Sequence, residues 1–149
     1  MFPELYHAHH NRHLEDLPFW LALATQTSDP ILELGCGTGR LLLPLAQAGF
    51  RCVGLDRDLG MLRYLHANLD PSLMAKPHCI AADISHFALQ EQFPLIILPC
   101  NTFSTLATQQ RRDCLSRVHK HLEPGGIFAV SLPNPELWRE LPTPSDIEY

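Results

Sequence analysis

Glu33-Leu34-Gly35-Cys36-Gly37-Thr38-Gly39-Arg40 sets three glycines at alternate positions directly after a short apolar run, Ile31-Leu32-Glu33-Leu34. Glycines at that spacing let the backbone turn tightly and approach a ligand with no side chain in the way. Asp56 ends a second apolar run, Cys52-Val53-Gly54-Leu55, and a carboxylate there can accept hydrogen bonds from the vicinal hydroxyls of a ribose. Asp83 ends a third run, where it can accept from an exocyclic amine such as that of adenine. With Glu33, these place three acidic residues at one cleft, which suits a ligand carrying a ribose, an adenine and cationic groups, and suits a pyrophosphate poorly. A dinucleotide loop of the form GxGxxG would need glycine at position 40, where arginine stands. The GxxxxGK[ST] loop of nucleoside triphosphate sites is absent.

The elements that position these residues alternate. Asp16 to Thr25 carries Leu17, Trp20, Leu21, Leu23 and Ala24 at helical spacing, with Pro18 in a first turn. Ile31–Leu34 reads as a buried strand. Arg40 to Ala48 reads as a helix stopped by Gly49, with Pro44 kinking it or confining it to a late start. Cys52–Leu55 is a second strand, and Asp58 opens a helix with Leu59, Leu62, Leu65, His66 and Leu69 on an inward stripe. Cys79–Ala82 and Leu95–Leu98 are the third and fourth strands. Thr108 caps a helix reaching Leu122, with Leu115, Val118 and Leu122 facing the sheet and Arg111, Arg112, Arg117 and Lys120 largely solvated. Pro124-Gly125-Gly126 then turns into a fifth strand, Ile127–Leu132. Near-continuously apolar strands separated by helix-sized segments describe a doubly wound α/β domain, with a mostly parallel, Rossmann-like sheet of about five strands covered on both faces. Such sheets bind ligands at the carboxyl ends of their strands, where the glycines and acids above fall.

The 149 residues, 46% hydrophobic and 18% charged, fit a single domain, too apolar to be disordered. Within it, residues 1–29 form an N-terminal helical lid segment, 30–132 the core, and 133–149 a proline-rich tail or truncated end. No apolar run approaches a membrane helix, and the N-terminus lacks the head and core of a signal peptide. Five cysteines at wide, irregular spacings indicate neither a disulfide framework nor a zinc cluster, so a reducing cytoplasm is the expected home. A formal charge of -5 argues against a chain that grips nucleic acid by its phosphates.

Ile31 to Gly39 resembles the first motif of class I S-adenosylmethionine-dependent methyltransferases. Val53-Gly54-Leu55-Asp56, Ala82-Asp83-Ile84, Pro99 to Phe103 and Leu122-Glu123-Pro124-Gly125-Gly126 resemble that family's later motifs in the same order. The likeness runs from about Asp16 to Leu132. It implies S-adenosylmethionine as cofactor. Glu33, Gly35, Gly37 and the Gly39 neighbourhood would hold its methionine part, Asp56 the ribose hydroxyls and Asp83 with Ile84 the adenine; Cys36 and Arg57 would also belong to the cofactor site, and Asn101 would lie near the sulfonium and methionine moiety. The family often uses its N-terminal segment as a lid, so Tyr6 or one of the neighbouring histidines is a candidate to close over the donor.

Other patterns carry less. A Pro99-Cys100 pair resembles the nucleophile of cytosine-C5 methyltransferases, but the flanking sequence and first motif differ from theirs, and Cys100 reads as a small buried residue. His7, His9, His10 and His13 have no completing carboxylate or cysteine pattern, and no metal site is expected. His119 and His121 fall at a helix end, where positive charge complements the dipole. His66 and His86 signal only packing.

Methyl transfer from a sulfonium is an in-line displacement in which the cofactor carries the activation, so a protein base is optional, and none is identifiable. The expected function is methyl transfer to a small-molecule acceptor; the alternative is a non-catalytic module that binds S-adenosylmethionine or its product. An NAD-linked dehydrogenase is disfavoured by Arg40 and the acidic cleft. The resemblance also implies two further strands that this chain lacks: prolines 133, 135, 142 and 144 leave room only for a short helix around Glu136 to Leu141. The fifth strand would then stand at an open edge, covered by a further segment or by a second copy in a homodimer.

Overall fold

A computed structural model describes residues 2–10 and 14–136. The elements run α1 (Pro3–His10), α2 (Leu17–Ala24), β1 (Ile31–Leu34), α3 (Leu42–Gln47), β2 (Cys52–Asp56), α4 (Leu59–Ala67), β3 (His78–Ala81), β4 (Phe93–Leu98), α5 (Thr108–His121) and β5 (Leu122–Val130). The strands form one parallel sheet in the order β3-β2-β1-β4-β5. Strand order reverses between β1 and β4, which opens the crevice of a doubly wound sheet at the carboxyl ends of those two strands. The expected α/β architecture is therefore the one observed.

Alternation along the strands feeds two cores. Ile31, Cys52, Leu95 and Ile97 pack with Trp20, Leu42, Leu45, Leu62 and Leu65 beneath α2, α3 and α4. Leu32, Leu34, Val53, Leu55, Ile96 and Leu98 pack on the other face with Cys114 and Val118 of α5. Asp58 caps α4 by accepting from the amides of Gly60 (2.8 Å) and Met61 (3.3 Å).

Several boundaries differ from the sequence reading, each for a local reason. The β5 ladder begins at Leu122, opposite Phe93, directly after α5, and ends at Val130. Pro124-Gly125-Gly126 is absorbed as an irregularity in the ladder beside Pro94, which has no amide to donate. β5 is one of the two edge strands of the sheet among the described residues, with β3 at the other edge. The third strand starts one residue early, at His78, and α5 has Ala107 rather than Thr108 at its cap, where the Ala107 amide donates to Gln110 Oε1 at 3.0 Å. Leu59, His66 and Leu115 were expected to face inward and are exposed; Met61, Leu62 and Leu65 take the inner face of α4, and Cys114, Val118 and His121 that of α5.

His121 falls at the end of α5, as expected, but its ring turns inward. It is buried, its Nδ1 bonded to the Arg117 carbonyl (2.7 Å) and its Nε2 accepting from the Leu89 amide (2.9 Å). Arg111 also departs from the solvated reading: it is half-buried and donates to the carbonyls of Phe103 (3.2 Å) and Ser104 (2.7 Å), gripping the single 3-10 turn Thr102–Thr105. The short helix expected at 136–141, and His13, fall wholly or mostly outside the described residues.

Candidate functional site

The glycine loop leaves β1 with Gly35, Gly37 and Gly39 all at positive φ (74°, 54° and 89°), a path that only glycine follows without strain. The amides of Gly35 and Cys36 both donate to the Leu55 carbonyl at 2.7 and 2.9 Å, folding the loop over the end of β2. The Gly37 amide then donates to Asp56 Oδ2 at 2.8 Å, while Asp56 Oδ1 accepts from the Asp58 amide at 2.8 Å. Two backbone amides thus fix the plane of the carboxylate at the strand tip, and each oxygen retains a further lone pair for a ligand hydroxyl.

A cavity of about 240 Å³ opens there, lined by the backbones and side chains of Tyr6, Gly35, Gly37, Asp56, Asp83 and Ile84, among others. Arg57 also borders it. Ile84, Met61, Ala82 and Leu106 supply apolar walls, and Thr102 and Thr105 of the 3-10 turn supply hydroxyls. Asp83 Oδ1 accepts from the amide (2.8 Å) and hydroxyl (2.6 Å) of Ser85, which hold its carboxyl below the ordinary carboxylate range. It therefore caps a turn and faces the cavity at once.

Six of the ten residues singled out from sequence meet at this cavity: Gly35, Gly37, Asp56, Arg57, Asp83 and Ile84. The other four do not line it. Glu33 lies beneath the loop, 2% exposed, where it accepts from the backbone of Leu42; its Oε2 has no hydrogen-bond partner among the described residues, and burial pushes its carboxyl well above the ordinary range. Cys36 also points down, and a Cβ on Gly54 would stand 2.8 Å from its Sγ. Gly39 is a packing position, since a Cβ there would meet Leu43 Cγ at 2.9 Å and Leu65 Cδ1 at 3.0 Å.

Asn101 faces a second cavity, of about 340 Å³, with His10, Glu15, Asp16, Arg40 and Cys100. Cys100 is exposed rather than buried, and Arg40 Nε donates to its sulfur at 3.2 Å.

The N-terminal helix closes the first cavity from above. Tyr6 reaches over the glycine loop, so that a Cβ on Gly37 would stand 3.5 Å from its ring. His7 Nδ1 is hydrogen-bonded to Thr38 Oγ1 at 3.1 Å, and its ring lies against Tyr64 of α4 at 5.1 Å between centroids. Tyr6 stacks on His10, centroids 3.8 Å apart, placing an aromatic pair between the two cavities. Burial raises the Tyr6 phenol above its ordinary value, so it is a donor at neutral pH. Sequence reading reached Tyr6 only as one lid candidate among several and missed Asp58, Met61, Ala82, Thr102, Thr105 and Leu106. Asp58 and Met61 follow Asp56 closely enough to be found by spacing, whereas an isolated 3-10 turn leaves no periodic signal.

A family model described as "Methyltransferase domain" matches residues 31–126, which include the glycine loop, Asp56 and Asp83. The chain belongs to the class I S-adenosylmethionine-dependent methyltransferase family. It is similar to the cypemycin N-terminal methyltransferase of a Streptomyces species, 31% identical over 107 residues that cover 70% of this chain and 42% of that protein. It is also similar to the tRNA (guanine(10)-N2)-dimethyltransferase of Methanothermobacter thermautotrophicus, at 26% identity over 115 residues covering 73% of this chain and 34% of that one. Among solved structures, the glycopeptide N-methyltransferase MtfA complexed with S-adenosylmethionine superposes with a TM-score of 0.71 at 26% identity, covering 77% of this chain and 52% of that one. The methyltransferase chain thus spans about half or less of the length of these relatives. No helix among its described residues is long and apolar enough to cross a membrane.

Proposed function

We propose that this methyltransferase chain binds S-adenosylmethionine in the cavity beneath Tyr6 and transfers its methyl group to a small-molecule acceptor by in-line displacement. The observation that carries the reading is the Asp56 carboxylate, fixed by the Gly37 and Asp58 amides at 2.8 Å each and facing the cavity. A carboxylate so oriented matches a vicinal diol with two charge-assisted hydrogen bonds. The rest of the lining fits the same ligand. Ile84, Met61 and Leu106 offer apolar surface to a flat base, Asp83 an acceptor for its amine, and Gly37 a bare backbone where any side chain would meet Tyr6. Three acids and no phosphate-binding loop suit a ligand with a sulfonium and an ammonium group and no phosphate.

When bound, S-adenosylmethionine supplies a methyl group already activated for displacement. What remains for the chain is orientation and exclusion of water. Asp56 and Asp83 fix the nucleoside from one side; Tyr6, held down by the bond between His7 and Thr38, covers the loop from the other. Among the described residues, no side chain at the cavity is placed as an obligatory base, and an acceptor that attacks as a neutral amine needs none.

A small acceptor is favoured over a nucleic acid by the formal charge of -5 and by the acids around both cavities. Calorimetric titration with S-adenosylhomocysteine tests the cofactor, with affinity expected to fall about tenfold or more in Asp56→Ala. Incubation with labelled S-adenosylmethionine and separate small-molecule and RNA fractions tests the acceptor. Label confined to RNA would overturn the small-molecule reading, and tight binding with no transfer to either fraction would favour a non-catalytic binding module.

A further inference from the structure

Arg40 directly follows the glycine loop, yet its side chain does not line the first cavity. Among the described residues, its guanidinium donates three hydrogen bonds to two distant segments. Nη1 and Nη2 donate to Asp16 Oδ1 and Oδ2 at 2.6 and 2.9 Å, and Nε donates to Cys100 Sγ at 3.2 Å. Asp16 is anchored in turn by Trp20 Nε1 at 2.8 Å, and Trp20 is part of the core. Arg40 is 9% exposed, while the Asp16 side chain (41%) and Cys100 keep an open side to solvent.

The Cys100 end is the informative one. Cys100 and Asn101 are consecutive non-glycine residues at positive φ (60° and 56°), a sparsely populated conformation that persists only where its surroundings hold it. The bond from Arg40 to Cys100 Sγ and the one from the Asn101 amide to Ser131 Oγ at 3.0 Å hold this pair, together with the backbone bonds from the Thr102 amide to the Pro99 carbonyl (3.3 Å) and from the Ser104 amide to the Asn101 carbonyl (3.0 Å). The next residue, Thr102, brings its methyl group to 3.3 Å from where a Cβ on Gly35 would lie, so this turn sets the wall of the cavity at its β4 end.

Strand order then assigns that wall a ligand group. Asp83 follows β3 and Asp56 ends β2, so a nucleoside held by both has its base over β3 and its ribose over β2. Whatever extends from the ribose crosses the glycine loop after β1 and arrives at Thr102 after β4, the cavity-lining residue that directly follows Cys100 and Asn101. In the donor proposed above, that extension is the amino-acid end.

We infer that Arg40 is a positioning residue for the amino-acid end of the methyl donor, acting through Cys100 on the turn after β4 while Asp16 fixes the guanidinium from behind. The inference rests on the donor reading and deepens it. The Arg40 guanidinium orders the backbone at 100–102; the nucleoside partners Asp56 and Asp83 lie on other strands and do not depend on it.

Two probes separate the ends of the ligand. S-Adenosylhomocysteine has the nucleoside and the amino-acid end, whereas 5′-methylthioadenosine keeps the nucleoside and thioether and lacks that end. Calorimetry with both is run on the wild type, Arg40→Lys, Cys100→Ala and Cys100→Ser. Arg40→Lys keeps a cation for Asp16 but loses the fork. In Arg40→Lys and Cys100→Ala, affinity for S-adenosylhomocysteine is expected to fall about fivefold to tenfold, with that for 5′-methylthioadenosine within about twofold of wild type. Cys100→Ser, which restores an acceptor for Nε, is expected to recover most of the loss. Equal losses for both probes would make the contact merely structural and overturn the inference, as would unchanged binding of both. Should Arg40→Lys fail to fold, the Cys100 pair decides alone. A folded wild type that binds neither probe would overturn the donor reading and this inference with it, an outcome distinct from losses confined to the variants.

Discussion

The Gly37 amide and the Asp56 carboxylate are joined at 2.8 Å across the ends of β1 and β2, so the acid that faces the cavity is also a strut of the glycine loop. Replacing it acts on ligand binding and on the fold together. Asp56→Ala leaves the Gly37 and Asp58 amides without their acceptor and is expected to lower unfolding free energy by about 1–3 kcal/mol in urea titrations without ligand. Asp56→Asn, which keeps one carbonyl oxygen, is expected to lose less stability than Asp56→Ala while still binding S-adenosylhomocysteine more weakly than wild type. Equal stability of all three proteins would show that the strut contributes nothing.

The third loop glycine serves packing, and a second glycine provides the control. Gly39→Ala must meet Leu43 Cγ at 2.9 Å and Leu65 Cδ1 at 3.0 Å in addition to a φ of 89°, whereas Gly49→Ala, at φ 97°, meets nothing within 4 Å. Left-handed strain costs about 1–2 kcal/mol at either site. Overpacking adds about 1–3 kcal/mol at position 39 alone. Chemical denaturation is expected to show Gly39→Ala the less stable of the two, and the reverse order would refute the packing role.

Glu33 gives a pH signature. Its carboxyl is buried, with Oε2 lacking a partner, and its folded-state pKa is raised, first by that burial. A raised pKa means the folded state favours the protonated acid. The associated stability is complete below the ordinary carboxylate range and is lost as pH climbs toward the folded value. Glu33→Gln has no proton to lose and keeps an oxygen for the Leu42 amide. The variant should therefore gain on the wild type as pH rises above the ordinary carboxylate range, read as a widening difference in Tm. A difference independent of pH would place the charge elsewhere.

The first four strands were legible because they are short apolar runs closed by glycine, aspartate or proline. A buried parallel strand must read that way, and Ile31–Leu34 is recovered to the residue. Asp56 and Asp83 were legible for the same reason, since a strand end plus an acid fixes a position in the crevice. Glu33 and Cys36 lie off the first cavity because adjacent residues of a loop and strand point to opposite sides, and sequence alone does not say on which side the cavity opens. Arg111 was read as solvated, and His121 only as a charge at a helix end, because composition and helix position say nothing of a carbonyl or amide brought up by a distant segment; Phe103, Ser104 and Leu89 supply those partners. Pro124-Gly125-Gly126 signalled a turn and became a ladder irregularity, because pairing of Leu122 with Phe93 had already begun before it.

Tyr6 is the residue through which the N-terminal helix enters the site. Its ring lies over Gly37 and on His10, while the next residue, His7, is bonded to Thr38 in the same loop. The ring covers the cavity by area and stacking, and the hydroxyl adds one polar group. Separating the two requires two substitutions. Tyr6→Phe keeps the cover and should leave affinity for S-adenosylhomocysteine within about threefold of wild type, the scale of one modest hydrogen bond. Tyr6→Ala uncovers the loop and should raise the dissociation rate about tenfold or more in stopped-flow displacement, with a smaller change in association rate, because a lost contact acts mainly on the lifetime of a complex. A slower association with unchanged dissociation in Tyr6→Ala would mean that α1 guides entry and does not cover the bound ligand.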